Sequence, residues 1–265
     1  MYSGNGIYYT EEHSVSFGEL AYGLLDGAAV IDFVPIANSW TDWHLIPSSR
    51  PVIAQPSVVT KYVEIPGLNG MLDLTTYLTG GPVYGQRNGS LSFKIANGIE
   101  NIETIRSKMV NTIHGKRMAI VLDDDPDYYY EGRFTVGNIE PASDYSGITI
   151  TYQLDTYKLR IKSYGSDYPT LWDTFNFETD YDYSILYPSV IVNNSTKTFY
   201  IYAENYPFQL SAIWVSGNVD VSFGGVTKNL HAAGSVNLGT ASNGSNTLTI
   251  TGTGSVKIYW RGGSL

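Results

Sequence analysis

Cysteine is absent from all 265 residues. That excludes a disulfide scaffold, thiolate-held zinc, an iron–sulfur cluster and a cysteine nucleophile, and it fits synthesis in a reducing cytoplasm. Long apolar runs are also missing. Ala28–Val34 is interrupted by Asp32, and nothing approaches the roughly 20 apolar residues that span a bilayer, so no membrane insertion is expected. Met1–Phe17, MYSGNGIYYTEEHSVSF, lacks the basic and apolar regions of a secretory signal. The sequons at Asn88, Asn193, Asn194 and Asn243 are therefore read as chance. Charge is sparse: 15% of residues, with 16 Lys and Arg against 25 Asp and Glu, for a net −9. The cations form no block, so sequence readout of nucleic acid is excluded and the acidity serves solubility.

Glycine (27) and tyrosine (22) are abundant instead, which suits short strands joined by tight turns. The chain centres on Lys61–Ile95, KYVEIPGLNGMLDLTTYLTGGPVYGQRNGSLSFKI. Tyr62, Val63 and Ile65 have strand character. Pro66-Gly67, Asn69-Gly70, Gly80-Gly81 and Asn88-Gly89 read as turns, and Leu91, Phe93 and Ile95 alternate as a strand with one buried face. One helix is expected, Ile99–Ile113, with Asn97 as N-cap, Glu100 completing a capping box and Gly115 as the stop. Arg117–Leu122 follows as a strand, Asp123–Asp127 as a turn, and Tyr128–Phe134 with Thr135–Ile139 as a hairpin arm. Gly147–Leu159 is a strand with Ile148, Ile150, Tyr152 and Leu154 on one face.

From Tyr187 the pattern is β only. Strands Ser189–Val192, Lys197–Tyr202, Phe208–Val215, Val219–Phe223, Thr247–Thr251 and Ser255–Trp260 are punctuated by turns at Gly217-Asn218, Gly224-Gly225, Asn243-Gly244 and Gly252-Thr253-Gly254. The fold class is mainly β. An N-terminal β-sandwich with one packed helix occupies 1–165, a linker 166–186, and a small galectin-like or jelly-roll sandwich 187–265.

Catalytic chemistry is thin. Asp123, Asp125 and Asp127 resemble the start of a calcium loop, but the sixth and twelfth places hold Tyr128 and Phe134 rather than Gly and Glu. The expectation is a turn whose aspartates bond their own backbone. Glu11/Glu12, Asp180/Asp182 and Glu131/Glu140 are the carboxylate pairs a glycosidase would need. His13, His44, His114 and His231 show no metal spacing. Trp214 and Trp260, with Tyr259, form a candidate sugar platform, weighed against core filling. No catalytic residue, cofactor or metal is assigned.

Five phrases carry a resemblance: TDWHLIPSSRPVI at Thr41–Ile53, EIPGLNGMLDLTTYLTG at Glu64–Gly80, YGQRNGSLSFKI at Tyr84–Ile95, IHGKRMAIVLDDDPDYYYEGRFTV at Ile113–Val136 and NTLTITGTGSVKIYWRGGSL at Asn246–Leu265. In this order they resemble the distal tail proteins (Dit) of long-tailed, non-contractile bacteriophages. The resemblance implies a structural, non-enzymatic virion protein at the tail tip. Its first domain forms a homohexameric ring between the tail tube protein and a Tal-like tail-tip hub. Its second, galectin-like domain holds a receptor-binding protein or side fibre. It also implies that Tyr62, Ile65, Gly67, Asn69, Gly70, Asp73, Tyr84 and Arg87 shape the ring interface. The alternative is a carbohydrate-binding module in the second domain, acting in host adsorption.

Overall fold

The computed structural model describes residues 13–25, 28–67, 69–77, 81–96, 101–142, 145–161, 164–165, 190–203, 207–242 and 244–265. Residues 1–12, the expected linker and the pairs Glu11/Glu12 and Asp180/Asp182 lie outside them. The described residues divide into two compact units, one of residues 13–19 and 34–158 with Leu265, the other of 20–33 and 159–264.

The first stretch of chain forms β1 (Val15–Leu25), β2 (Ala28–Asn38), β3 (Leu45–Pro47), β4 (Val58–Val59), β5 (Tyr62–Glu64), β6 (Met71–Asp73), β7 (Val83–Tyr84), β8 (Arg87–Ala96), α1 (Ile102–Ile113), β9 (Arg117–Leu122), β10 (Asp125–Glu140) and β11 (Tyr145–Leu154). Hydrogen-bonded neighbours run β2-β1-β9-β10-β11-β8-β3. Period-two alternation explains the pairing of β11 with β8. Ile148 faces Phe93, Ile150 faces Leu91, and all four are buried. Across the core Phe17 meets Phe134 edge-on at 5.3 Å and Trp43 at 5.5 Å.

The helix begins later than its sequence signals. Its cap is Asn101, whose side chain accepts from the Glu103 N–H at 3.0 Å, not Asn97. Asn97, Ile99 and Glu100 lie outside the described residues; Ile105, Met109 and Ile113 supply the buried stripe, with Ile102 and Val110 packed beside it. The helix stops where expected. Gly115 takes φ +72°, and its N–H donates to Phe134 O at 2.7 Å. The expected break at Phe134/Thr135 does not occur. β10 is one strand of 16 residues, with a bulge between Val136 and Ile139, pairing first with β9 and then with β11. Asn88-Gly89 is likewise inside β8 rather than a turn. A Cβ at Gly89 would lie 2.4 Å from the Tyr152 hydroxyl, so the glycine admits that ring.

The remaining strands are β12 (Lys158–Arg160), β13 (Tyr164–Gly165), β14 (Val190–Ala203), β15 (Gln209–Phe223), β16 (Val226–Leu230), β17 (Ser235–Thr240), β18 (Gly244–Trp260) and β19 (Gly263–Ser264). In the second unit the order is β13-β18-β15-β16, with β14 on β18 and β17 on β15. Three pairs of short strands read from the sequence are three long ones. The glycines expected to turn the chain instead bend it. Gly217 (φ +76°) pairs with Gly254, and Gly252 (φ +126°) with Val219. At the same level β14 shifts register between Asn193 and Ser195, and Asn194 takes φ +44°. Residues before and after this corner share one core, from Leu210, Val219 and Phe223 to Leu248, Val256 and Trp260. Gly224-Gly225, with φ +57° and +81°, is the two-residue hairpin turn expected between β15 and β16.

The corner leaves no room for a side chain. A Cβ at Gly254 would sit 2.2 Å from Ser216 O. Gly254→Val is expected to cost about 2–3 kcal/mol in urea unfolding, whereas Gly224→Asn, with open space around it, is expected to be near neutral.

Candidate functional site

The carboxylates that invited a catalytic reading are otherwise engaged. Asp123 accepts the Ser14 N–H at 3.0 Å and the Ser14 hydroxyl. Asp124 takes His13 at 3.1 Å and Arg50 Nε at 2.9 Å, and Asp125 takes Lys158 Nζ at 2.6 Å. The run is a hairpin tip, as expected, but its side chains hold other segments rather than their own backbone. Basic and hydroxyl groups brought in by tertiary folding outcompete the local amides. Glu131 pairs with Arg117 at 2.7 Å. Glu140 stands nine residues further along the same strand, about 30 Å away at the strand rise, so the two cannot flank one glycosidic bond. Among the described residues no three His, Asp or Glu side chains gather as a metal site, and no helix is long and apolar enough to cross a membrane. His114 uses Nδ1 to accept the Val136 N–H at 3.2 Å, standing in for a strand carbonyl.

The second candidate, the sugar platform, is split by burial. Trp260 is 4% exposed and stacks on Phe208 at 6.1 Å, inside the sandwich core. Trp214 is half-buried, with Nε1 donating to Gly217 O at 2.8 Å at the glycine corner. Tyr259 is buried as well. Alternation along β18 does not distinguish core from surface once the strand bends, and Trp260 takes the core-filling role that was weighed against the platform.

Lys61–Ile95 holds the most unusual surface. From Ser57 to Gly85 the chain forms a two-stranded arm in two steps. β4 pairs with β7, and beyond them β5 pairs with β6, joining Tyr62 to Asp73, Val63 to Leu72 and Glu64 to Met71. Gly67 (φ +87°) and Gly70 (φ +100°) turn the tip with nothing around them. The Asp73 carboxylate accepts the Thr75 N–H at 2.8 Å, and its pairing with Thr75 holds its pKa below the usual value. Among the described residues of β4 to β6 both faces of the arm are exposed. Tyr62 is 54% exposed, Met71 64% and Tyr77 80%. Nine of the seventeen large apolar side chains exposed among the described residues lie between Val58 and Val83. A clustering of that kind marks a surface meant to be covered.

Polar contacts root the arm. Gly85 N–H donates to Ser57 O at 2.7 Å, and Ala54 N–H to the Tyr152 hydroxyl at 2.8 Å. Thr156 Oγ1 donates to Gly85 O at 2.9 Å. Arg87 ties these together. Its Nε donates to Thr156 O at 2.8 Å, one terminal nitrogen to Ala54 O at 2.9 Å, and its guanidinium lies 5.3 Å from the Tyr130 ring centre. Arg87, expected to shape a ring interface, is 1% exposed, and its side chain is spent inside its own unit. The reason is local: the backbone carbonyls at the arm's root need a donor fork. Its other terminal nitrogen is buried without a hydrogen-bond partner, and burial lowers its pKa. Tyr62, Ile65, Gly67, Asn69, Gly70 and Asp73 are exposed on the arm and Tyr84 half-exposed at its base. Tyr152, Thr156 and Ala54 were not read as part of the site, because their roles arise from contacts far apart in sequence.

No family model and no curated protein matches the chain by sequence. Its structure matches a solved one, the SPP1 Dit (gp 19.1) protein, described as a paradigm of the hub adsorption apparatus in phages infecting Gram-positive bacteria. The match covers 96% of this chain and 99% of that one, with a TM-score of 0.56 and 11% sequence identity. The chain therefore has the Dit fold, mainly β with one described helix and two main sheets.

Two outcomes follow from the root. Arg87→Ala is expected to cost about 2–4 kcal/mol in urea unfolding, because it empties volume and strips two carbonyls of a charged donor. Arg87→Met, which keeps the volume and removes a buried charge, is expected to cost much less. Burial pushes the Tyr130 phenol up to about 12, from an ordinary 10.0. The folded state keeps that proton while the unfolded chain loses it, so the contribution is whole below pH 10 and is lost as pH rises toward 12. Tyr130→Phe is expected to flatten this alkaline loss when urea midpoints are measured across that window.

Proposed function

We infer that this chain is a distal tail subunit of a long-tailed bacteriophage, a non-enzymatic hub at the virion's tail tip. The reading rests on the shared Dit fold and is carried by one observation, the apolar arm of residues 57–85 with both faces open. Isolated two-stranded hairpins are marginal in water. An arm so rich in exposed Val, Tyr, Leu and Met gains most when a neighbouring copy covers it. A head-to-tail contact between an arm and the next subunit closes into a ring when the rotation per subunit allows. In the proposed assembly six copies form that ring, stacked on the tail tube protein on one side and receiving a Tal-like hub on the other. Tyr62, Ile65, Gly67, Asn69, Gly70, Asp73 and Tyr84 shape the contact between subunits. Arg87 serves from within by fixing where the arm leaves the body. The second unit is left to hold a receptor-binding protein or side fibre.

Sedimentation and negative-stain imaging of the purified protein test this. The wild type is expected to form six-fold rings. Val63→Asp combined with Leu72→Asp, a cross-strand pair on the arm, is expected to leave a folded monomer by circular dichroism. Gly70→Val, which forces a β-branched residue to φ +100°, is expected to weaken the ring. A wild type that stays monomeric at every concentration sinks the reading.

A further inference from the structure

On one side of the glycine corner the second unit's strands run in the order β14-β18-β15-β16. Both outer strands have a free edge among the described residues, since β14 pairs only with β18 and β16 only with β15. Strand register places Lys197 opposite Ile250, Ile250 opposite Val221, and Val221 opposite Lys228, one straight row across all four strands. Ile250 and Val221 are fully buried, and both belong to the core. A lysine therefore stands at each end of a core row, on the core-facing side. Thr198, Thr251, Asp220 and Thr227, at the alternate positions, are exposed on the outer face.

The local pattern makes these two lysines exceptions. Phe199 and Ile201 follow Lys197 at period two, and Val226 and Leu230 flank Lys228 at the same spacing. Phe199, Ile201 and Leu230 pack into the core. An apolar side chain at either lysine position would extend that core and gain about 25 cal/mol per Å² removed from water. Lysine forgoes this, and among the described residues neither ammonium has a hydrogen-bond or ion-pair partner that would offset it. Both lysines are exposed, with the charge carried to the open rim on an apolar stem. Residues 187–265 hold one other lysine, Lys257, which lies on the central strand β18 opposite Ile213.

A free edge offers its N–H and C=O groups as a template for another strand. A strand added to β14 or β16 would lie about 4.8 Å away and cover the lysine on its core-facing side. The ammonium would then be shut between the added strand and the core without an acceptor, which is costly. Two copies pairing edge to edge would also bring like charges together. The arm is the opposite case: its strands β4 to β7 hold no lysine and expose apolar side chains. We propose that Lys197 and Lys228 bar strand addition at both edges of this part of the sheet, which keeps self-association away from them. The bar acts alike in a single copy and in a ring, and does not rest on ring formation.

Sedimentation of the full chain tests this, in the wild type and in the arm variant Val63→Asp/Leu72→Asp as parents. Lys197→Val/Lys228→Val is expected to keep a urea midpoint at or above its parent's. It is also expected to raise the weight-average mass about twofold or more at equal concentration. Lys197→Thr/Lys228→Thr, uncharged but not apolar, is expected to associate as well, and it decides the matter if the valine pair does not fold. Lys197→Glu/Lys228→Glu keeps a charge at each edge, and Lys257→Val removes one from the central strand. Both are expected to hold the parent's mass. A folded uncharged pair that stays at the parent's mass overturns the proposal, as does equal association of the glutamate pair or of Lys257→Val. Ring formation is read from the arm variant against the wild type, and edge pairing from the lysine pairs within each parent, so the two readings fail separately.

Discussion

A guanidinium held out of water without a carboxylate is costly, and Arg87 is kept there by carbonyls and an aromatic ring. The arm depends on that arrangement. Ala54 enters it, Gly85 leaves it, and both are tied directly or through Thr156 to the same side chain. Tyr152 reaches the root only because Gly89 has no Cβ. The small β4–β7 and β5–β6 ladders add little stability of their own. What fixes their direction is the polar root, and what they present is apolar surface.

The same division between fixed root and open surface recurs at the acidic tip of β9 and β10. Asp123, Asp124 and Asp125 face three different segments and hold them through Ser14, His13, Arg50 and Lys158. These carboxylates act as fasteners. Arg117, bridging Glu131 and Asp155, does similar work across neighbouring strands. Such pairs are individually weak at a surface, yet several of them converge on loops that the sheet alone would not position.

The second unit solves a different problem. Three long strands cross the whole sandwich, so the corner must bend without breaking the ladder. Glycines at positive φ and the register shifts beside them allow this. The outer rows then carry polar groups and the inner rows the core, as an antiparallel sheet with one wet face requires. Apolar arm and polar sheet are two kinds of surface on one chain.

The sequence by itself determined the mainly β class, the helix from its apolar stripe, the alternating cores of β8 and β11, and the Gly224-Gly225 turn. Each is a local pattern of period two, period 3.6 or paired glycine, legible without neighbours. It also marked Lys61–Ile95 as the stretch to watch. Tertiary structure decided the rest, because the deciding contacts are distant in sequence. Asn101 rather than Asn97 caps the helix where the core needs the stripe to start. Gly217, Gly252 and Gly254 bend strands rather than end them, because each faces a backbone it cannot foresee. Trp260 is core and Arg87 an internal clamp, since burial depends on what packs above a residue and not on the residue's own polarity.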